Sequence, residues 1–174
     1  MDSGLDTRQL AVLGIGALAC GYDLRTRRLP NLLTLGGAAV ALLYGVVTAG
    51  VGGAIAGISG WAVGLVLFLP LFALGGMGAG DVKLLAAVGA WLGPATAFWT
   101  ALYAAIAGGV MAVIVGLATG YLGQALRNVS FLVSFWQTVG LKPLPELTLA
   151  TGRGPRLPYA LAITAGAVAS MWLR

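Results

Sequence analysis

Gly75-Gly76-Met77-Gly78-Ala79-Gly80-Asp81-Val82-Lys83 sets a carboxylate and an ammonium two residues apart, behind four glycines, between two strongly apolar segments. The chain has only five acidic residues, and an ionisable group near a membrane is costly enough to mark a functional site by default. The plain alternative is that Asp81 does no more than favour a helix start facing water.

The surroundings decide how costly that placement is. Of 174 residues, 59% are hydrophobic and 9% charged, with 28 glycines and a mean hydropathy of +0.96, values expected of a polytopic membrane protein and far from a soluble domain. Apolar runs cover about 10–22, 32–49, 54–74, 82–93, 95–122 and 157–173, read as six membrane helices of one all-α domain spanning 1–174. A bilayer core takes about 20 helical residues to cross, so the first and fourth runs are short. Each has an aspartate at one end, Asp23 after the first and Asp81 before the fourth, and spanning would draw both carboxylates to the membrane edge.

The net charge of +5 does not predict nucleic acid as a partner. The basic residues stand at the ends of apolar runs and form no stripe with interleaved aromatics. Six spans starting outside place Arg25, Arg27, Arg28, Lys83, Arg127, Lys142, Arg153 and Arg156 at the cytoplasmic side and leave Arg8 and Arg174 opposite. By the positive-inside bias the chain is expected to be a multi-pass membrane protein. Its N-terminus is then outside, and Asp23 and Asp81 share the cytoplasmic face. Asp2 and Asp6 ahead of the first run do not make the positive n-region of a cleavable signal peptide.

Other features describe architecture. Gly53/Gly57, Gly60/Gly64 and Gly116/Gly120 have the spacing of close helix packing. Gly93-Pro94 marks a turn between helices. Asn31, after Pro30, is placed to cap a helix by accepting from the backbone of Thr34. The segment 124–140 has one apolar side and is expected to lie under the cytoplasmic leaflet, followed by a polar connector through Thr151-Gly152-Arg153-Gly154-Pro155. The lone Cys20 reads as a small buried residue, and with no histidine in the chain no Cys/His metal site is expected.

Two aspartates from different helices at one membrane face suit acid/base hydrolysis. Neighbouring carboxylates do not both ionise easily, so one keeps a proton while the other is charged. The charged one takes a proton from water attacking a peptide carbonyl, and the protonated one bonds the carbonyl oxygen. Gly78 and Gly80 would let an extended peptide approach the main chain, using backbone angles closed to other residues. No cofactor is called for.

Gly78-Ala79-Gly80-Asp81 with Lys83 resembles the Gly-x-Gly-Asp signature of aspartyl intramembrane proteases. Asp23 through Leu29-Pro30-Asn31 is similar to the first-aspartate loop of type IV prepilin peptidases. The likeness runs from Asp23 to Gly93 and weakly to Arg156-Leu157-Pro158-Tyr159-Ala160. It implies a Gly-x-Gly-Asp protease bundle that cleaves the short basic leader of prepilin-like and pseudopilin precursors at the cytoplasmic face, with Asp23 and Asp81 as the catalytic pair. Gly78, Gly80 and Lys83 would meet the substrate, and the pilus assembly machinery is a further partner besides lipid. The chain lacks the cysteine-rich insertion and the N-methyltransferase domain of larger members, and so is similar to the short peptidases of tight-adherence (Flp) pili. Two other classes fit the same composition: a small proton-coupled transporter relaying protons through the aspartates, and a non-enzymatic assembly factor built on the glycine seams.

Helix polarity assigns the proton. Asp81 begins its helix, where the macrodipole favours negative charge, and Asp23 ends its own, where the dipole disfavours it. Asp81 is therefore expected to be the charged base and Asp23 the protonated acid.

Overall fold

The computed structural model describes residues 5–142 and 157–173, and among them every regular element is helical. The elements are α1 (Thr7–Thr26), a π-helical turn (Leu32–Gly36) running into α2 (Gly37–Ala73), α3 (Ala79–Leu92), α4 (Pro94–Ala118), α5 (Leu122–Val139) and α6 (Tyr159–Trp172).

Glycines fold the longest of these back on itself. Within α2, Gly50 takes φ 57° and ψ −137°, a combination that a residue with a Cβ strongly avoids. The chain reverses there, bringing the backbone of Gly53 against that of Gly45 and Gly57 against Leu42. The arms 37–49 and 51–73 therefore correspond to two of the apolar runs. Leu32–Ala73 and α4 are long and apolar enough to cross a membrane, and α6 is a shorter apolar helix. Large aliphatic side chains such as Leu43, Val47, Val51, Ile55, Ile114 and Leu117 stand exposed on this scaffold, an apolar surface far larger than water-facing proteins ordinarily carry.

Helix α3 lies at the centre. Val82 and every residue from Leu84 to Trp91 are buried, enclosed by α1, α2, α4 and α6. Apolar side chains gain little by leaving lipid for protein, so such packing depends on backbones approaching closely. Gly60 meets Gly89 backbone to backbone, and Gly64 sits against Leu85 and Ala86, so the seam expected of Gly60/Gly64 receives α3. On the other side, Gly166 of α6 admits the Thr100 carbonyl and Ala104 of α4. A buried Thr100–Ser170 hydroxyl pair at 2.9 Å satisfies the polar atoms of that contact.

The termini of the elements have local causes. Asp6 and Gln9 form a reciprocal capping box at the start of α1. At its other end Arg27 adopts a left-handed conformation (φ 52°) and its N–H donates to the Asp23 carbonyl. Gly93 (φ 83°) ends α3, and Pro94, at the first position of α4, begins the next helix. Gly120 (φ 69°) lies in the turn beyond α4. α5 is strongly amphipathic, has no buried residue, and extends beyond α4.

Several expectations change. The first run is not short: α1 continues to Thr26 and takes Asp23 into its last turns. Gly116/Gly120 is only half a seam: Gly116 packs on Leu122 at the start of α5, and Gly120 serves the turn between the helices. Asn31 is itself helical and makes no side-chain cap, and the carbonyl of Pro30 receives the amides of Leu33 and Thr34 instead. The connector around Gly152 and Arg153 lies outside the described residues.

Candidate active site

Connectivity brings the end of α1, the start of α3 and the start of α6 to the same end of the bundle. The first two, with the loop that leaves α1, form a pocket of about 360 Å³ lined by Asp23, Arg27, Arg28, Leu29, Asn31, Asp81 and Lys83 together with Gly78, Ala79 and Gly80. The two aspartates predicted as a pair thus line one cavity, although they are 58 positions apart in the chain.

Asp23 is buried, 9% exposed, and its carboxylate accepts a hydrogen bond from the backbone N–H of Ala160 at 3.2 Å. Ala160 is the second residue of α6, so this N–H is one of the donors that a helix start leaves without an intrahelical partner. The positive end of α6 is thereby aimed at Asp23, and the site is suited to an anion. Among the residues placed here, the Ala160 amide was not predicted. It is a backbone group 137 positions away, and only the weak likeness through Arg156-Leu157-Pro158-Tyr159-Ala160 points to its segment.

Asp81, the third residue of α3, is half-buried and ends the connection that precedes the apolar run. Its position is that of the acidic partner in a capping box, reaching back to the amide of the N-cap residue Gly78. Burial first, and the charge of Asp23 second, push its carboxyl up to about 6, against the opposing hydrogen bond from Gly78. Below about pH 6, Asp81 is thus mostly protonated.

The expectation of a charged Asp81 is therefore not met. Helix polarity within each aspartate's own element favoured a charged Asp81, but desolvation outweighs the dipole at Asp81, and Asp23 sits on the favourable end of a third helix.

The glycines act through space rather than through unusual dihedrals. Gly78 is extended (φ −78°, ψ 145°), Gly80 is helical, and neither has a positive φ. A Cβ on Gly78 would stand 3.1 Å from Asp81 Oδ2, and one on Gly80 would stand 3.0 Å from the Cβ of Leu29. Gly78 leaves room for the carboxyl to fold back, and Gly80 lets the loop after α1 close onto α3. Lys83 donates from Nζ to Asn31 Oδ1 at 2.9 Å, across the same junction.

A protonated and an ionised carboxyl at one cavity can activate a water and polarise a carbonyl together. The family model described as the type IV leader peptidase family matches residues 10–113, a stretch that takes in both aspartates and runs from α1 into α4. A search of curated proteins finds no match, nor does a search of solved structures. With more than half of its length matched, the chain belongs to the type IV leader peptidase family.

Proposed function

We propose that this peptidase is an aspartyl endopeptidase of the bacterial inner membrane that removes the leader of prepilin-like precursors, of the tight-adherence (Flp) kind, at the cytoplasmic face. The observation that carries the reading is the shared pocket of Asp23 and Asp81, with Asp81 raised to about 6 beside a buried, helix-anchored Asp23. The exposed aliphatic surface of α2 and α4 faces lipid in this reading, and the basic residues at the pocket end lie inside.

The chemistry follows from the two environments. Asp23 accepts a proton from a water as its oxygen forms a bond to the carbonyl carbon of the scissile peptide. Asp81 hydrogen-bonds the carbonyl oxygen as negative charge develops on it and supplies the proton that neutralises it. When the tetrahedral species collapses, the proton taken by Asp23 passes to the leaving nitrogen, the C–N bond breaks, and the carbonyl reforms by returning its proton to Asp81. The pair ends as it began. Gly78 and Gly80, whose backbone lines the pocket, receive the extended peptide.

Co-expression with a pilin-like precursor tests the reading. The precursor should shorten in the presence of the wild-type chain, and Asp23→Ala and Asp81→Ala should each abolish the shortening. Normal processing by either variant would refute the aspartyl mechanism, and an unprocessed precursor with wild-type protein in the membrane would refute the substrate class.

A further inference from the structure

Lys83 and Asn31 lie 52 positions apart, yet they join the two segments that carry the aspartates. Lys83 is one half-turn beyond Asp81 on α3, and Asn31 follows the loop that leaves α1 just after Asp23. That loop is itself held in shape. The Arg27 N–H donates to the Asp23 carbonyl at 3.0 Å, and the Thr26 hydroxyl bridges the carbonyls of Tyr22 and Arg28 at 2.9 and 3.1 Å. Leu29 then packs on the open side of Gly80. Asp23 is therefore joined to α3 by a short chain of contacts that ends at the Lys83–Asn31 hydrogen bond.

We propose that Lys83 and Asn31 form a clasp that fixes the separation of Asp23 and Asp81, making Lys83 a positioning residue rather than a substrate contact. The inference rests on the aspartyl-peptidase reading for its kinetic consequences, but not for its structural one.

Two arguments favour geometry over charge. The ammonium is directed to Asn31 at 2.9 Å, while the acidity of Asp81 is explained by burial, Asp23 and the Gly78 amide. The charged donor makes this the stronger kind of hydrogen bond, and it ties a short loop to a helix. Misplacing catalytic groups by about 1 Å costs roughly a hundredfold in rate, so a clasp remote from the scissile bond still acts on kcat.

The two roles predict opposite pH shifts. The ionisable groups around Asp81 are Asp23, Arg27 and Arg28 from α1 and its exit, Lys83 from α3, and Tyr159 from α6. If Lys83 acted by charge, Lys83→Met would remove a cation and move the upper limb of the pH profile to higher pH. If it acts as a clasp, the carboxylates separate, their repulsion weakens, and the limb moves lower.

The test combines kinetics with a measurement that needs no activity. Lys83→Met and Asn31→Leu should each lower kcat by about tenfold to a hundredfold with KM changed by less than about threefold. The double variant should be no worse than either single one. Asn31→Asp, which keeps the acceptor oxygen, should retain activity within about threefold of wild type. Spin labels at the exposed Leu24 and Ala79 in a Cys20→Ala background should give a narrow distance distribution that broadens in Lys83→Met. An unbroadened distribution, multiplicative losses in the double variant or an upward pH shift would overturn the clasp. If wild-type protein cleaves no precursor, the peptidase reading fails and the label distances still decide the clasp.

Discussion

The two aspartates occupy opposite ends of their own helices, and their surroundings reverse what those ends imply. Asp81 stands in the first turn of α3, where its own dipole would favour charge, yet burial and Asp23 raise its pKa to about 6. Asp23 lies near the end of α1, where the dipole opposes charge, yet the start of α6 gives it a backbone donor at 3.2 Å. A local dipole contributes roughly 0.3–1 kcal/mol at ordinary exposure, and desolvation of a carboxyl readily exceeds that. The comparison teaches that polarity read from one element is outweighed by whichever other elements enclose the group.

Amide substitution breaks the comparison most severely. Asparagine at 81 still donates a hydrogen bond to a carbonyl, as a protonated acid does, whereas asparagine at 23 supplies no base. Asp23→Asn should therefore lower kcat about 10⁴-fold and Asp81→Asn about 10²-fold to 10³-fold, measured on a purified precursor. Equal losses, or the opposite ranking, would return the proton to Asp23.

The pH profile sharpens it. With Asp81 as the proposed acid, activity should fall as pH rises through about 6, approaching tenfold per pH unit on the upper limb. A profile that instead rises through pH 6 would mean that Asp81 works as the base.

Steric variants separate the two junctions. Gly80→Ala should reduce kcat about tenfold by displacing the Leu29 loop, since the added carbon would stand 3.0 Å from the Leu29 Cβ. Leu29→Ala in the same chain should restore much of that loss. A loss that Leu29→Ala leaves unchanged would assign Gly80 to the substrate.

The smallest effect is on stability. A carboxyl raised from the unfolded range to about 6 favours folding below its unfolded pKa, and that contribution is lost as pH rises to the folded value. Between about pH 4 and 6 the thermal midpoint should thus decline on this group's account. Asp81→Asn should flatten that decline and raise the midpoint by a few degrees at neutral pH, even though the variant is nearly inactive. A wild-type midpoint that climbs through this range because of Asp81 would contradict the shift.

Much of this was legible in the sequence for physical reasons. Apolar runs and their breaks correspond to α1, the two arms of α2, α3, α4 and α6, because helix length and hydropathy leave a strong imprint. The one-sided segment after residue 123 became the exposed α5. The pairing of Asp23 with Asp81 could be seen because their shared end follows from counting helices. Contacts between distant backbones left no such imprint. The Ala160 amide carries no side-chain signal, and Asn31 looked like a cap because its type suits one, whereas in the fold it receives Lys83. Gly60/Gly64 and Gly116/Gly120 have the same spacing, but both members of the first pair meet another helix, whereas Gly120 of the second meets nothing and serves a turn. Spacing tells where backbones are able to approach, and topology decides whether anything is there.

At the end of the bundle away from the pocket, the reversal within α2 and the step from α3 to α4 are each made at a single glycine, Gly50 and Gly93. Among the described residues, the stretches 27–30 and 74–78 between helices lie at the pocket end. An engineer seeking new substrate preference thus has a natural division of labour: graft variation into the pocket-end segments, and leave the glycine corners alone. One added residue at either corner would rotate a whole helix and every packing face on it.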